Sequence, residues 1–235
     1  MEARLQNLLR YIIKEYIATA EPVGSQVMVK KYFKELSPAT IRNDMAELES
    51  QALIFQPHIS AGRLPTEDGW QYYLKNLVAN KEVTAEVKKD LKQLLARVKS
   101  EKEVGLKDLA KHLAEVSQNA ILVGFGPHDV YYTGLANLFS QPEFSRQEVV
   151  YNVSMVIDHF DDTMSKVFGR VASQVQILAG QENPFSEACG MILGRYQLVG
   201  QSAGVLGVLG PVRMDYDRNL ALIKFVLQNL NPEIN

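Results

Sequence analysis

The stretch Leu36-Ser37-Pro38-Ala39-Thr40-Ile41-Arg42-Asn43-Asp44-Met45-Ala46-Glu47-Leu48-Glu49 decides how the first third of this chain is read. Ser37 before Pro38 is a helix start. The serine hydroxyl can accept an orphan backbone N–H, and a proline at the first helical position gives up no hydrogen bond because that N–H would be unpaired anyway. Ile41, Met45 and Leu48 then recur at four- and three-residue steps, which predicts a helix over Pro38–Ser50 with those three turned inward. The helical step places Ala39, Arg42, Asn43 and Ala46 on the opposite side, with Thr40 flanking them.

Upstream, Leu5, Leu8, Leu9, Ile12, Ile13 and Tyr16 predict an amphipathic helix that ends at Glu21-Pro22-Val23-Gly24-Ser25. Ser25 is expected to cap a second, short helix over about Gln26–Phe33, with Val27 and Tyr32 or Phe33 inward. Downstream, Leu53-Ile54-Phe55-Gln56-Pro57-His58 and Gly62-Arg63-Leu64-Pro65 predict a small hairpin, with Gly62 supplying a positive φ in its turn. Thr66 is expected to cap a further helix from Glu67 to about Ala79, which carries the single tryptophan, Trp70.

Three helices followed by a hairpin is the element order of a winged helix-turn-helix, whose last helix enters the major groove of DNA. Arg42 can bond the O6/N7 edge of guanine, Asn43 the N6/N7 edge of adenine, and Ala39 and Thr40 can meet a thymine methyl. His58, Ser60 and Arg63 on the hairpin suit backbone or minor-groove contact. With Ser25 and Ser37 at the helix starts, these residues form the candidate DNA-binding set.

Residues 81–118 are charge-rich, with one apolar stripe at Val87, Leu91, Leu94, Leu95 and Val98 and another at Leu106, Leu109, Leu113 and Val116. Gly105 is expected to separate the two helices, which read as an exposed connector or a pair that docks a partner. From Asn119 onward, strands are expected at 120–126, about 174–179, 189–198 and 203–209, with helical spacing over 145–171 and a closing helix over 216–230. The expected class is α+β in three parts: a winged helix over 1–80, a connector over 81–118 and an α+β regulatory or dimerising region over 119–235.

Composition narrows the function. Of 235 residues, 46% are hydrophobic and 22% charged, an ordinary globular balance that excludes disordered and fibrous classes. The net charge is −2, and residues 1–75 carry 9 basic against 9 acidic groups, so any contact with nucleic acid must come from a local constellation. No apolar run approaches the ~20 residues of a membrane span, and no secretory signal opens the sequence, so no membrane association and a cytoplasmic location are expected. Cys189 stands alone, which excludes an internal disulfide and reads as a small buried hydrophobe.

Several signals point to chemistry and lead nowhere. Asp158-His159-Phe160-Asp161-Asp162 scatters its side chains around a helix, and the four histidines lack metal-ligand spacing, so no metal is expected. There is no phosphate-binding glycine loop and no nucleophile beside a base, so neither a cofactor nor an enzyme is expected. Asp215 reads as the cap of the last helix and Arg213 as a brace for the loop before it. Two functions remain open on the residues alone: a dimeric DNA-binding repressor, or a ligand-sensing or protein-docking module whose winged helix contacts protein.

The runs 21–25, 36–49 and Gln56-Pro-His-Ile-Ser-Ala-Gly-Arg-Leu-Pro-Thr-Glu-Asp-Gly69 resemble the HrcA heat-inducible transcription repressors. So do Leu209-Gly-Pro-Val-Arg-Met-Asp-Tyr216 and Ala179-Gly-Gln-Glu-Asn183, and the likeness covers nearly the whole chain. The resemblance implies negative control of chaperone (heat-shock) operons by a homodimer on an inverted-repeat operator of the CIRCE type. It also implies a winged helix joined to a GAF-like domain with a dimerising insert, and activity tied to the GroE chaperonin. Between Pro127 and Tyr131-Tyr-Thr-Gly-Leu135 members of the usual length carry a long further segment, so a reduced GAF-like domain is expected here.

Overall fold

A computed structural model describes residues 1–79, 81–158, 160–171, 175–200 and 202–231. Its contacts divide the chain into two compact units, Met1–Ala79 and Asn80–Asn235.

The first unit contains α1 (Ala3–Thr19), α2 (Ser25–Lys31), α3 (Pro38–Ser50), β1 (Ile54–Phe55), β2 (Leu64–Pro65) and α4 (Glu67–Asn76). Leu5, Leu8, Leu9, Ile12 and Ile13 line the buried face of α1, which packs on α3. Ile41, Met45 and Leu48 are all buried on α3, as their spacing predicts. Each such side chain, fully buried, is worth roughly 1.5–3 kcal/mol over leaving it in water, so this seam carries much of the unit's stability.

Two acidic groups are buried in the same unit, and each is paired with a cation. Arg4 donates from Nη2 to Asp44 Oδ1 at 3.0 Å, joining α1 to α3. Glu15 accepts from Lys31 Nζ at 2.6 Å and from the Tyr32 hydroxyl at 2.5 Å, joining α1 to α2. Burial alone would raise the Glu15 pKa, but the bonds from Lys31 and Tyr32 outweigh it and hold the carboxyl below its ordinary range.

Two local expectations are corrected. Helix α2 starts at Ser25 with Gly24 as its cap residue, so Ser25 makes no side-chain capping bond. The inward residue of α2 is Met28, which is buried, and not Val27, which is exposed, while Phe33 is buried as expected. Gly62 does not have a positive φ. It is needed because a Cβ there would lie 2.4 Å from the carbonyl carbon of Val23. Val23 and Arg63 exchange both backbone bonds at 2.9 Å, drawing the 21–24 loop against the hairpin.

The second unit contains α5 (Ala85–Ser100), α6 (Lys102–Ser117), β3 (Ala120–Gly126), β4 (Asp129–Thr133), α7 (Leu135–Phe139), α8 (Gln147–Asp158), α9 (Phe160–Arg170), β5 (Gln176–Ala179), β6 (Cys189–Tyr196), β7 (Gly204–Pro211) and α10 (Tyr216–Leu230). The five strands form one antiparallel sheet in the order β4-β3-β7-β6-β5. Leu122, Met191, Leu193, Val205 and Leu209 face a core shared with Val153, Met164 and Phe168 of α8 and α9. The alternate residues face the other way, where α6 packs on β3 and α10 on β6 and β7.

Residues 81–118, read from sequence as a separate connector, belong to this unit, and α6 contributes directly to the packing of its sheet. The break between α5 and α6 falls at Glu101, and Gly105 lies inside α6. Its role is close helix crossing, since a Cβ would sit 2.7 Å from Val98 Cα. Strand β4 and helix α7 are additions to the expected elements, and the helical spacing over 145–171 is divided between α8 and α9. Among the described residues no helix is long and apolar enough to cross a membrane.

Candidate nucleic-acid interface

The start of α3 is fixed by its own first residues. The Thr40 N–H donates to Ser37 Oγ at 3.1 Å, the two hydroxyls lie 2.9 Å apart, and Pro38 occupies the first turn. With Ile41, Met45 and Leu48 buried, Ala39, Arg42, Asn43 and Ala46 are exposed and Thr40 is half-buried. One guanidinium and one carboxamide therefore stand beside the small Ala39 and Ala46 near the beginning of a helix, with the exposed Glu47 one turn beyond Asn43. That face can approach a surface closely and offer two bidentate hydrogen-bonding groups.

The hairpin is tied to the last turn of α3 by side chains. Glu49 Oε2 accepts from Arg63 Nε and lies 3.1 Å from Arg63 Nη2, while Glu49 Oε1 accepts the Gln56 N–H at 3.1 Å. Sequence reading aims Arg63 at a phosphate or the minor groove; here its mostly covered guanidinium is engaged by Glu49. At the tip, the Ala61 N–H donates to the His58 carbonyl at 2.8 Å. Gln56 Nε2 donates to the carbonyls of Ile59, at 2.9 Å, and Ala61, at 2.8 Å. His58 and Ser60 are exposed on this clamped loop, and Ser25 is half-buried at the start of α2.

Six of the first unit's nine cations fall into two sets. Arg4, Lys31 and Arg63 are paired with Asp44, Glu15 and Glu49. Lys30, Lys34 and Arg42 are exposed and make no ion pair among the described residues. Sequence reading missed Glu49, whose partner Arg63 lies 14 positions away, and Gln56, whose partners lie 3 to 7 positions away in the chain. It also passed over Ile59, which stands between two polar residues in a turn and has no periodic signal.

The remaining candidates lie in the second unit and are structural in their contacts. Arg213 is buried, donates from Nε to Glu143 and from Nη2 to Gln141 at 3.2 Å, and so braces the turn after α7. Asp215 caps α10 by accepting the Arg218 N–H at 3.0 Å. Cys189 is buried, and burial pushes its thiol up to about 12, far from a reactive thiolate. Among the described residues no three His, Cys, Asp or Glu side chains are placed to hold a metal ion; His159 lies outside them.

The family described as HrcA protein C terminal domain matches residues 70–220. A heat-inducible transcription repressor HrcA from Carboxydothermus hydrogenoformans is 28% identical, over 100% of this chain and 98% of that protein. Another of the same name from Desulforudis audaxviator is 27% identical, over 98% and 97%. The first alignment runs over 336 positions, far more than the 235 residues of this chain, so the relatives carry a long segment that it lacks. A crystal structure of a hypothetical protein shares the fold with a TM-score of 0.73 at 18% identity, covering 99% of this chain and 97% of that one. The match over residues 70–220, with relatives aligned from end to end, means that the chain belongs to the HrcA family.

Proposed function

We propose that this chain is a heat-inducible transcription repressor of the cytoplasm that binds an inverted-repeat, CIRCE-type operator of chaperone genes as a homodimer, through a winged helix formed by residues 1–80. The observation that carries the reading is the exposed Arg42–Asn43 face of α3, opposite the buried Ile41–Met45–Leu48 seam. In this reading Arg42 and Asn43 bond base edges in the major groove, while Ala39, Thr40 and Ala46 leave room for thymine methyl groups. Ser25, Ser37, Lys30 and Lys34 supply backbone contacts, and His58 and Ser60 meet the neighbouring groove from the hairpin. Arg63 acts as a positioning residue by holding the hairpin on Glu49.

An inverted repeat requires two heads in two-fold relation. We assign that pairing to residues 81–235, a helical pair and a reduced GAF-like domain that does no chemistry. A GroE-type chaperonin is the partner to which the family resemblance ties activity.

The test is a titration of the full chain against a duplex carrying the inverted repeat upstream of this organism's own chaperone genes, and against random duplex, at several salt concentrations. Preferential binding to the repeat with a steep loss of affinity as salt rises is expected, because neutralised phosphates release counterions. Sedimentation at micromolar concentration should give a dimer. A monomer both free and on DNA, or binding that responds weakly to salt, contradicts the proposal and favours a protein-docking role for the first unit.

A further inference from the structure

Ile59 is 99% exposed, at the tip of the β1–β2 hairpin, and the loop around it is built to keep it there. Gln56 reaches into the turn and bonds the carbonyls of Ile59 and Ala61, and the His58 carbonyl accepts the Ala61 N–H across it. A scattered half-exposed apolar side chain needs no explanation. A fully exposed isoleucine on a loop clamped by three hydrogen bonds is different, because its position is specified while it contributes nothing to the core.

The surroundings say what kind of surface it meets. From Ser50 to Thr66 there is no Asp or Glu, and Glu49, at the base of the hairpin, is taken up by Arg63 and the Gln56 N–H. His58 and Ser60, which flank Ile59, are exposed hydrogen-bonding side chains. A tip with no acidic group, an apolar point and polar shoulders suits the minor groove of a polyanion: phosphates on both rims, and a floor of base edges and sugar carbons. We propose that Ile59 is a specificity-determining residue that enters the minor groove beside the α3 contact and selects base pairs lacking the guanine 2-amino group. This rests on the reading of the first unit as the DNA-binding head.

The physical basis is the single difference among minor-groove edges. A·T and T·A present only acceptors there, whereas G·C adds the N2 amino donor. An isoleucine methyl pressed against that amino group strips its water and returns no acceptor, leaving a buried donor unsatisfied. Inosine paired with cytosine has the ring pattern of G·C without the amino group, so it separates this effect from any major-groove preference.

The experiment titrates the full chain against the repeat duplex with the pairs of the spacer and flanks changed one at a time to A·T, G·C or I·C. At the pairs beneath the tip the parent chain is expected to bind A·T and I·C alike and G·C about tenfold more weakly. Ile59→Ala should bind all three within about twofold, since the desolvating side chain is gone. Ile59→Asn, which brings an acceptor, should recover G·C binding. The residue touches no core, so both variants should melt as the parent does.

The proposal is overturned if no position distinguishes I·C from G·C, or if Ile59→Ala keeps the full difference. Failure of the underlying reading looks different. If the parent chain does not prefer the repeat to random duplex, the DNA reading falls and takes this proposal with it. If Arg42→Ala abolishes that preference while Ile59→Ala leaves the I·C and G·C gap intact, only the role of Ile59 is lost.

Discussion

The two antiparallel β assemblies of this molecule are held together by opposite means. In the second unit β6 and β7 pair through eight residue pairs, and nearly all of their residues are buried between helical layers. In the first unit β1 and β2 pair through only two, and the hairpin keeps its place through Glu49, Arg63, Gln56 and the bridge to Val23. A ladder between two packed faces has no side chain to spare for a partner. A hairpin fixed at its base by a few polar side chains can turn the rest of its surface outward, at the cost of depending on each of those contacts. The same contrast runs through the two units: the sheet uses its residues internally, and α3 with the hairpin presents them.

The sharpest way to break this contrast is to remove the second unit. A chain ending at residue 79 should keep weak half-site binding and lose the gain from linking two heads, which can reach roughly 10²–10⁴ in affinity when geometry permits. Band-shift titrations of the repeat and of a single half-site measure it. Equal affinity of the short and full chains for the whole repeat would deny residues 81–235 their dimerising role.

Within the first unit, Asn43→Ala should cost about 1–3 kcal/mol on the repeat and much less on random duplex, with melting unchanged because the side chain is exposed. A smaller effect is expected at the base of the hairpin. Arg63→Ala and Glu49→Ala should each lower stability by about 1 kcal/mol, and the double variant should cost less than the sum, as a shared contact requires. Strict additivity in urea unfolding would show that Glu49 and Arg63 do not act together.

The smallest expected effect is the acid limb of stability. The Glu15 carboxyl is held below its ordinary range, so its contribution is complete above the unfolded value and is lost as pH falls through the folded one. Glu15→Gln should therefore flatten the loss of stability of the first unit at acidic pH while changing little near neutrality beyond a constant offset. An acid limb identical to that of the parent chain rejects this role.

How much of this could be read from the sequence follows the same division. The α3 seam, the Ser37 cap, the hairpin and the long buried strands were legible because each rests on local periodicity or on a cap one turn away. The helix break at Glu101 and the packing role of Gly62 were not, since the first lacks a breaker residue and the second depends on a backbone 39 positions upstream. Strand β4 and α7 escaped because 129–139 alternates weakly and turns at Gly134. In the candidate interface Arg42 and Asn43 were visible from helical phase alone. The pairing of Arg63 with Glu49, and of Lys31 with Glu15, was hidden, because sequence shows that a cation is present but not which carboxylate holds it.

Whether α3 reads base pairs through Arg42 comes down to one ratio. The affinity of the full chain for the repeat divided by its affinity for random duplex should fall by about 5- to 150-fold per half-site in Arg42→Ala, corresponding to about 1–3 kcal/mol, at every salt concentration used. If Arg42→Ala weakens both duplexes equally and the ratio stays that of the parent chain, Arg42 touches only phosphate and α3 is not the reading helix.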